Sequence, residues 1–288
     1  MNIQVIPSHP SSDGAGVKIQ RIHGFQNNSL DPFLMLDEIR SDKPDDYGAG
    51  FPAHPHRGIE TLTYMRNGGF VHEDHMGNRG EIAAGESQWM SAGRGVIHSE
   101  MPLQTEGLMH GFQLWINLPA RHKMKAPQWQ DIKQNELPWH QLQNAQLKVI
   151  AGNYHIAGKR FSGPLQQLPG KAAVADLNLH QNSKLTLQSD PTTSLLIYVY
   201  EGQLSIGDKN ITTRQMAKIT DSSELMLASD QGAGALLLNG TPLTEPVAHY
   251  GPFVMNTQAE IDQAIRDYQQ GRLTDQSFFD AQSLFVKH

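Results

Sequence analysis

His54-Pro55-His56 sets two imidazoles two residues apart, and His98-Ser99-Glu100 sets an imidazole and a carboxylate at the same spacing. Side chains of an extended chain alternate between its two faces, so each pair projects from one side of its strand. Two such pairs on neighbouring strands would supply three neutral nitrogens and one carboxylate oxygen to a single divalent ion. This donor set suits iron, manganese, nickel, cobalt, copper or zinc, and ligand type alone does not choose among them. The competing reading is that these are ordinary surface histidines, because a chain with 14 histidines in 288 residues produces an isolated His-x-His by accident. The second pair favours the metal. So do the glycines ahead of each pair, Gly50 before the first and Gly85, Gly93 and Gly95 before the second, since glycine allows close backbone approach at barrel corners.

The elements that must position these residues read as strands. Short runs rich in β-branched and aromatic residues, separated by Gly, Asn, Asp and Pro, are the pattern of an all-β barrel or sandwich. Ile59 to Met65 is one such run; Asn67-Gly68-Gly69 and then Phe70 to Asp74 follow it, and together they predict a hairpin. Phe112 to Leu118 is another strand, stopped by Pro119. From Pro119 to about residue 147 the composition turns to Gln, Lys, Pro and Trp, which reads as a connection. A second strand-rich stretch follows to residue 243, with a tight turn expected at Glu201-Gly202. Thr257 and Glu260 form a capping box ahead of Ile261, Ala264, Ile265 and Tyr268 at helical spacing, and Gly271 would end that helix. The expected division is a domain over 1–130 carrying the histidines and a second over 145–288 with the terminal helix.

Composition removes several function classes. With no cysteine there are no disulfides, thiolate nucleophiles or Cys-type metal sites, so a metal must sit on nitrogen and oxygen. A formal net charge of −6 and no run of Lys or Arg argue against direct nucleic-acid binding, which depends on clustered cations. No apolar run approaches a membrane span and the N-terminus has no signal-like core, so a cytoplasmic protein without membrane association is expected. Gly14-Ala15-Gly16 lacks the rest of a dinucleotide fingerprint, and no nucleophile elbow or Walker loop is present. His72, His75, His110, His122 and His155 have no partner in a shared ligand motif, and only His72 or His75 would reach the rim of the site.

The stretch HPHRGIETLTYMRNGGFVHEDHMGNRGEIAAGESQWMSAGRGVIHSEMP resembles the N-terminal signature of the pirin family of the cupin superfamily. YGPFVMNTQAEIDQAIRDYQQGR resembles that family's C-terminal tail. The resemblance spans essentially the whole chain and implies two tandem cupin barrels of the double-stranded β-helix, or jelly-roll, type. It implies one metal ion in the first barrel, commonly iron as Fe(II), on His54, His56, His98 and Glu100, and a second barrel without metal ligands. The general cupin pattern would instead take its carboxylate from Glu60; the pirin match favours Glu100 and leaves Glu60 as a group that orients a ligand histidine. Arg57 is read as a substrate-orienting group or, preferably, as the partner of Glu60 or Glu73. Phe51, Met90, Phe112 and Trp115 would line the cavity or fill the barrel core.

The resemblance further implies quercetin 2,3-dioxygenase-type ring opening of a flavonol or similar chelating enol by dioxygen. Glu100 would serve both as ligand and as the general base that takes the substrate hydroxyl proton. It also admits a reading without turnover, in which the protein senses metal or redox state and regulates a protein partner, as a transcriptional co-regulator does.

Overall fold

The computed structural model describes residues 1–274. They form two compact units, one from residues 1–10, 20–35 and 132–244, the other from residues 11–19, 36–131 and 245 onward. Strands dominate both, as expected for an all-β chain, and the α-helix among the described residues is Gln258–Gln269.

In the first unit the antiparallel strands run in the order Ala145–Ala151, Ala173–Leu179, Ala233–Gly240, Ser194–Ile206, Glu224–Ser229 and Ser183–Gln188. Alternate residues supply the core: Ala173, Ala175, Leu177 and Leu179 from one strand pack with Ile197 and Leu237 from its neighbours. The turn expected at Glu201-Gly202 is absent. Ser194–Ile206 is one continuous strand, and Gly202, at φ +69°, follows a register shift between Val199 and Glu201. An extra residue in one strand bends it without ending the pairing. The chain turns back later, through Gly207 (φ +59°) into Lys209–Thr212.

The second unit carries both the His-x-His and the His-x-Glu pair. One sheet has the order Phe51–His56, Val96–Pro102, Phe70–Asp74, Arg79–Ile82; another contains, side by side, Gln128–Ile132, Ser87–Ser91, Ile59–Asn67 and Met109–Asn117. The expected hairpin is therefore corrected: Ile59–Asn67 and Phe70–Asp74 lie in different sheets. Gly68 (φ +72°) and Gly69 carry the chain from one to the other, and a side chain on Gly69 would lie 2.3 Å from the Ile82 carbonyl oxygen. The stretch after Pro119 is more than a connection, since Gln128–Ile132 extends a sheet beside Ser87–Ser91. Met65, Phe70, Ile82 and Met109 meet Val17, Ile39 and Tyr47 in the core.

The helix begins at Thr257 with the expected capping box, Thr257 and Glu260 satisfying each other's backbone amides. The sequence reading grouped it with residues 145–288, but it belongs with the histidine-bearing unit. Its buried residues Ile261 and Ala264 pack against Ile97, Phe253 and Met255, which gives its apolar face a surface to cover. Residues 275–288 of that expected domain lie outside the described residues.

Candidate metal centre

The antiparallel pairing of Phe51–His56 with Val96–Pro102 sets His98 opposite His54 and Val96 opposite His56. Side chains two apart on one strand and directly opposite on the next share a face, so the three imidazoles converge. The ring centroids of His54 and His98 are 4.4 Å apart, those of His54 and His56 4.8 Å, and those of His56 and His98 5.0 Å. One nitrogen from each of the three lies within 4.8 Å of the others.

His54 and His98 each have one nitrogen committed to the protein. Nδ1 of His54 donates to the Pro52 carbonyl at 2.8 Å. The Pro252 backbone faces the His56 ring and favours a proton on it, against the larger effect of burial. Nδ1 of His98 lies 3.2 Å from Nδ1 of His72. In the two buried rings of the three, Nδ1 of His56 and Nε2 of His98 have no hydrogen-bond partner. A buried polar atom without a partner is costly and needs an explanation. Burial, followed by the neighbouring histidines, holds both pKa values well below the ordinary 6.5, so these rings are neutral near pH 7 and carry free lone pairs. Nitrogen donors of this kind fit a divalent transition-metal ion.

Glu100 is buried, and its carboxylate is held from the neighbouring sheet: Oε1 lies 3.3 Å from Thr63 Oγ1, and Oε2 accepts from Gln113 Nε2 at 3.4 Å. A register shift between His98 and Glu100 on the Phe51–His56 side breaks the simple alternation that the spacing suggests. On the other side the register is regular, and Glu100 stands opposite His72 while His98 stands opposite Asp74.

Glu60 does not join this group. Its carboxylate accepts from Trp89 Nε1 at 2.8 Å and from Lys125 Nζ at 2.7 Å, on the face of Ile59–Asn67 opposite to Thr63. The count from His56 to Glu60 assumed one regular strand, whereas Gly58, at φ +83°, interrupts it. Arg57 is also turned away from the histidines. Its guanidinium pairs with Asp267 at 2.8 Å, not with Glu60 or Glu73, and also donates to the carbonyls of Arg94 and Leu273. Of the four expected cavity residues, Trp115 meets one of the three converging rings, edge-on to His56 at 5.2 Å. Phe51 packs against Phe70, Phe112 stacks on Tyr64, and Met90 is buried. His110 pairs with Glu38 at 3.0 Å, and His75 accepts from the Ile97 amide.

Sequence reasoning placed His72 no nearer than the rim of the site and passed over Asp74. Both are buried on strand Phe70–Asp74, and His72 contacts His98 directly. Their spacing, His-x-Asp, repeats that of His98-x-Glu100, and this was the available signal.

The family model described as pirin matches residues 16–116, and that described as the pirin C-terminal cupin domain matches residues 174–274. A Vibrio cholerae protein named "Putative quercetin 2,3-dioxygenase" is 50% identical over 269 residues, 93% of this chain and 95% of its own. Mouse pirin is 36% identical, over 92% of this chain and 91% of its own. A crystal structure of quercetin 2,3-dioxygenase from Acinetobacter baumannii superposes with a TM-score of 0.86 at 32% identity, covering 96% of this chain and 98% of that one. A bacterial pirin from Escherichia coli solved in complex with nickel(II) shares the fold at 21% identity and a TM-score of 0.65, over 84% of this chain and 100% of that one.

Proposed function

Because this chain belongs to the pirin family and gathers three imidazoles at one point, we propose that it is a metal-dependent dioxygenase of the quercetin 2,3-dioxygenase type. The substrate class is a flavonol or similar enol-bearing aromatic that chelates through adjacent oxygens, and the co-substrate is dioxygen. The observation that carries the reading is the convergence of three imidazoles, one nitrogen of each within 4.8 Å of the others, with a buried nitrogen of His56 and of His98 left unpartnered. The name of the Acinetobacter baumannii structure, at 32% identity over nearly the whole chain, supports the reaction type.

In this reading His54, His56 and His98 hold the ion, with Glu100 as fourth donor and iron(II) the first candidate. When bound, the metal would supply Lewis acidity toward the substrate oxygen, the substrate itself being the source of the electrons that reduce dioxygen. The protein's own groups supply the rest. Glu100 takes the proton of the substrate hydroxyl on a carboxylate oxygen, and Thr63 and Gln113 aim that carboxylate. Trp115 walls one side of the His56 ring, so an aromatic substrate meets an apolar surface there.

The test is metal analysis of the purified protein, anaerobic reconstitution with iron(II), and then oxygen uptake with quercetin and related enols. Uptake that requires the metal and disappears in His56→Ala is the expected result. A fully loaded protein that consumes no oxygen with any chelating aromatic overturns the proposal.

A further inference from the structure

The His98–His72 contact poses a question of proton placement that the metal reading leaves open. Two Nδ1 atoms at 3.2 Å are hydrogen-bonded only if one carries the proton and the other accepts it. If His72 donates, the proton of neutral His98 sits on Nε2, the atom that faces no protein partner. If His98 donates, Nε2 is a free lone pair.

Asp74 decides between them. Oδ1 of Asp74 accepts from the backbone amides of Met76 at 2.9 Å and Asn78 at 3.0 Å, and Oδ2 accepts from Asn78 Nδ2 at 2.8 Å. Donors surround this carboxylate, so it presents only lone pairs to its other neighbours. Nε2 of His72 lies 3.7 Å from Oδ2, beyond hydrogen-bond length but close enough for the carboxylate to favour an N–H and disfavour a lone pair there. Both side chains are fully buried, so water does not screen the preference. Trp129, nearly parallel to the His72 ring at 5.9 Å, packs against that ring and limits its rotation.

We propose that Asp74 and His72 are positioning residues that fix the tautomer of His98. Asp74 holds the His72 proton on Nε2, His72 accepts from Nδ1–H of His98, and Nε2 of His98 is thereby left as a donor atom. The proposal rests on the metal-site reading for its purpose but not for its geometry. A histidine ligand whose second nitrogen is held by a carboxylate or carbonyl is the usual arrangement, and loss of that partner typically weakens metal binding about 10–100-fold. Here a second histidine stands between the ligand and the carboxylate.

Long-range proton–nitrogen correlation spectra of the full-length, metal-free protein near neutral pH read the tautomers directly. The expected spectrum has His98 protonated on Nδ1 and His72 on Nε2. Asp74→Asn offers an amide donor to His72 in place of an acceptor and shifts His98 toward the Nε2–H form. In parallel, nickel(II) affinity is measured by competition with a chelator. His72→Leu and Asp74→Asn lose about 10–100-fold, while His72→Asn, whose amide oxygen replaces the Nδ1 acceptor, stays within about threefold of wild type. A wild-type His98 protonated on Nε2 overturns the proposal, as does His72→Leu binding nickel(II) as tightly as wild type. If His72→Leu does not fold, the spectra of wild type and Asp74→Asn decide the matter alone. Wild-type protein with the expected tautomers but no nickel(II) binding would uphold the relay and refute the metal reading.

Discussion

His56 and His98 are buried as neutral rings, and this burial has a pH signature. Their folded pKa values lie well below 6.5, so as pH falls through 6.5 the unfolded chain takes up protons that the native rings refuse. The unfolded state then binds more protons, and stability falls with pH. The slope is about 1.4 kcal/mol per pH unit for each ring until its folded pKa is reached. His75, also lowered by burial, adds in the same direction. The urea midpoint of the metal-free protein should therefore be lower at about pH 5.5 than at about pH 7.5; an unchanged or higher midpoint would show that these rings are not held neutral. Glu100 makes a separate prediction. Glu100→Gln keeps the shape and removes the base, so turnover should fall about 10²–10⁴-fold while metal content, measured by atomic absorption, falls far less.

The strands place these residues, and the break between two of them explains one misplacement in the sequence reading. Alternation put His54 with His56, and strand pairing brings His98 opposite, so this grouping was legible from the spacing together with the family resemblance, which supplied the neighbouring strands that the spacing had to assume. Glu60 was not, because Gly58 resets the alternation, and no residue count reveals a positive φ. A Cβ there would lie 1.9 Å from the Val254 carbonyl oxygen. The same break is pinned by Lys123, whose buried ammonium donates to the carbonyls of Gly58 and Val254, both at 2.9 Å, and to Asn117 Oδ1 at 2.8 Å. Burial lowers its pKa to about 8, and nothing in the Lys-rich stretch around it marked it as structural. Lys123→Met would leave three buried acceptors unpaired at about 1–3 kcal/mol each, so chemical denaturation should show a loss of at least about 3 kcal/mol. A loss below 1 kcal/mol, roughly the worth of one neutral hydrogen bond, would mean that the clamp is not needed. The bulge at Val199–Glu201 was likewise hidden, since a glycine in a strand reads as a turn until its pairing is known.

For the whole molecule, the sequence signatures at both ends pointed to the family that residues 16–116 and 174–274 match, because long motifs carry more information than any one pair. The site should then couple metal to folding. An ion that binds only the native state adds RT ln(1 + [L]/Kd), about 2.7 kcal/mol at 100 times Kd. Nickel(II) or iron(II) should raise the melting temperature of the wild-type protein and a chelator should reverse the rise, with neither effect in the His56→Ala, His98→Ala double variant. A rise of equal size in that variant would place the binding elsewhere. The most direct test of the central claim is turnover of quercetin by the iron-loaded protein under ¹⁸O₂, followed by mass spectrometry of the products. Both atoms of one dioxygen molecule should appear in the products. Label in one atom only, or in none, would contradict dioxygenation at this site.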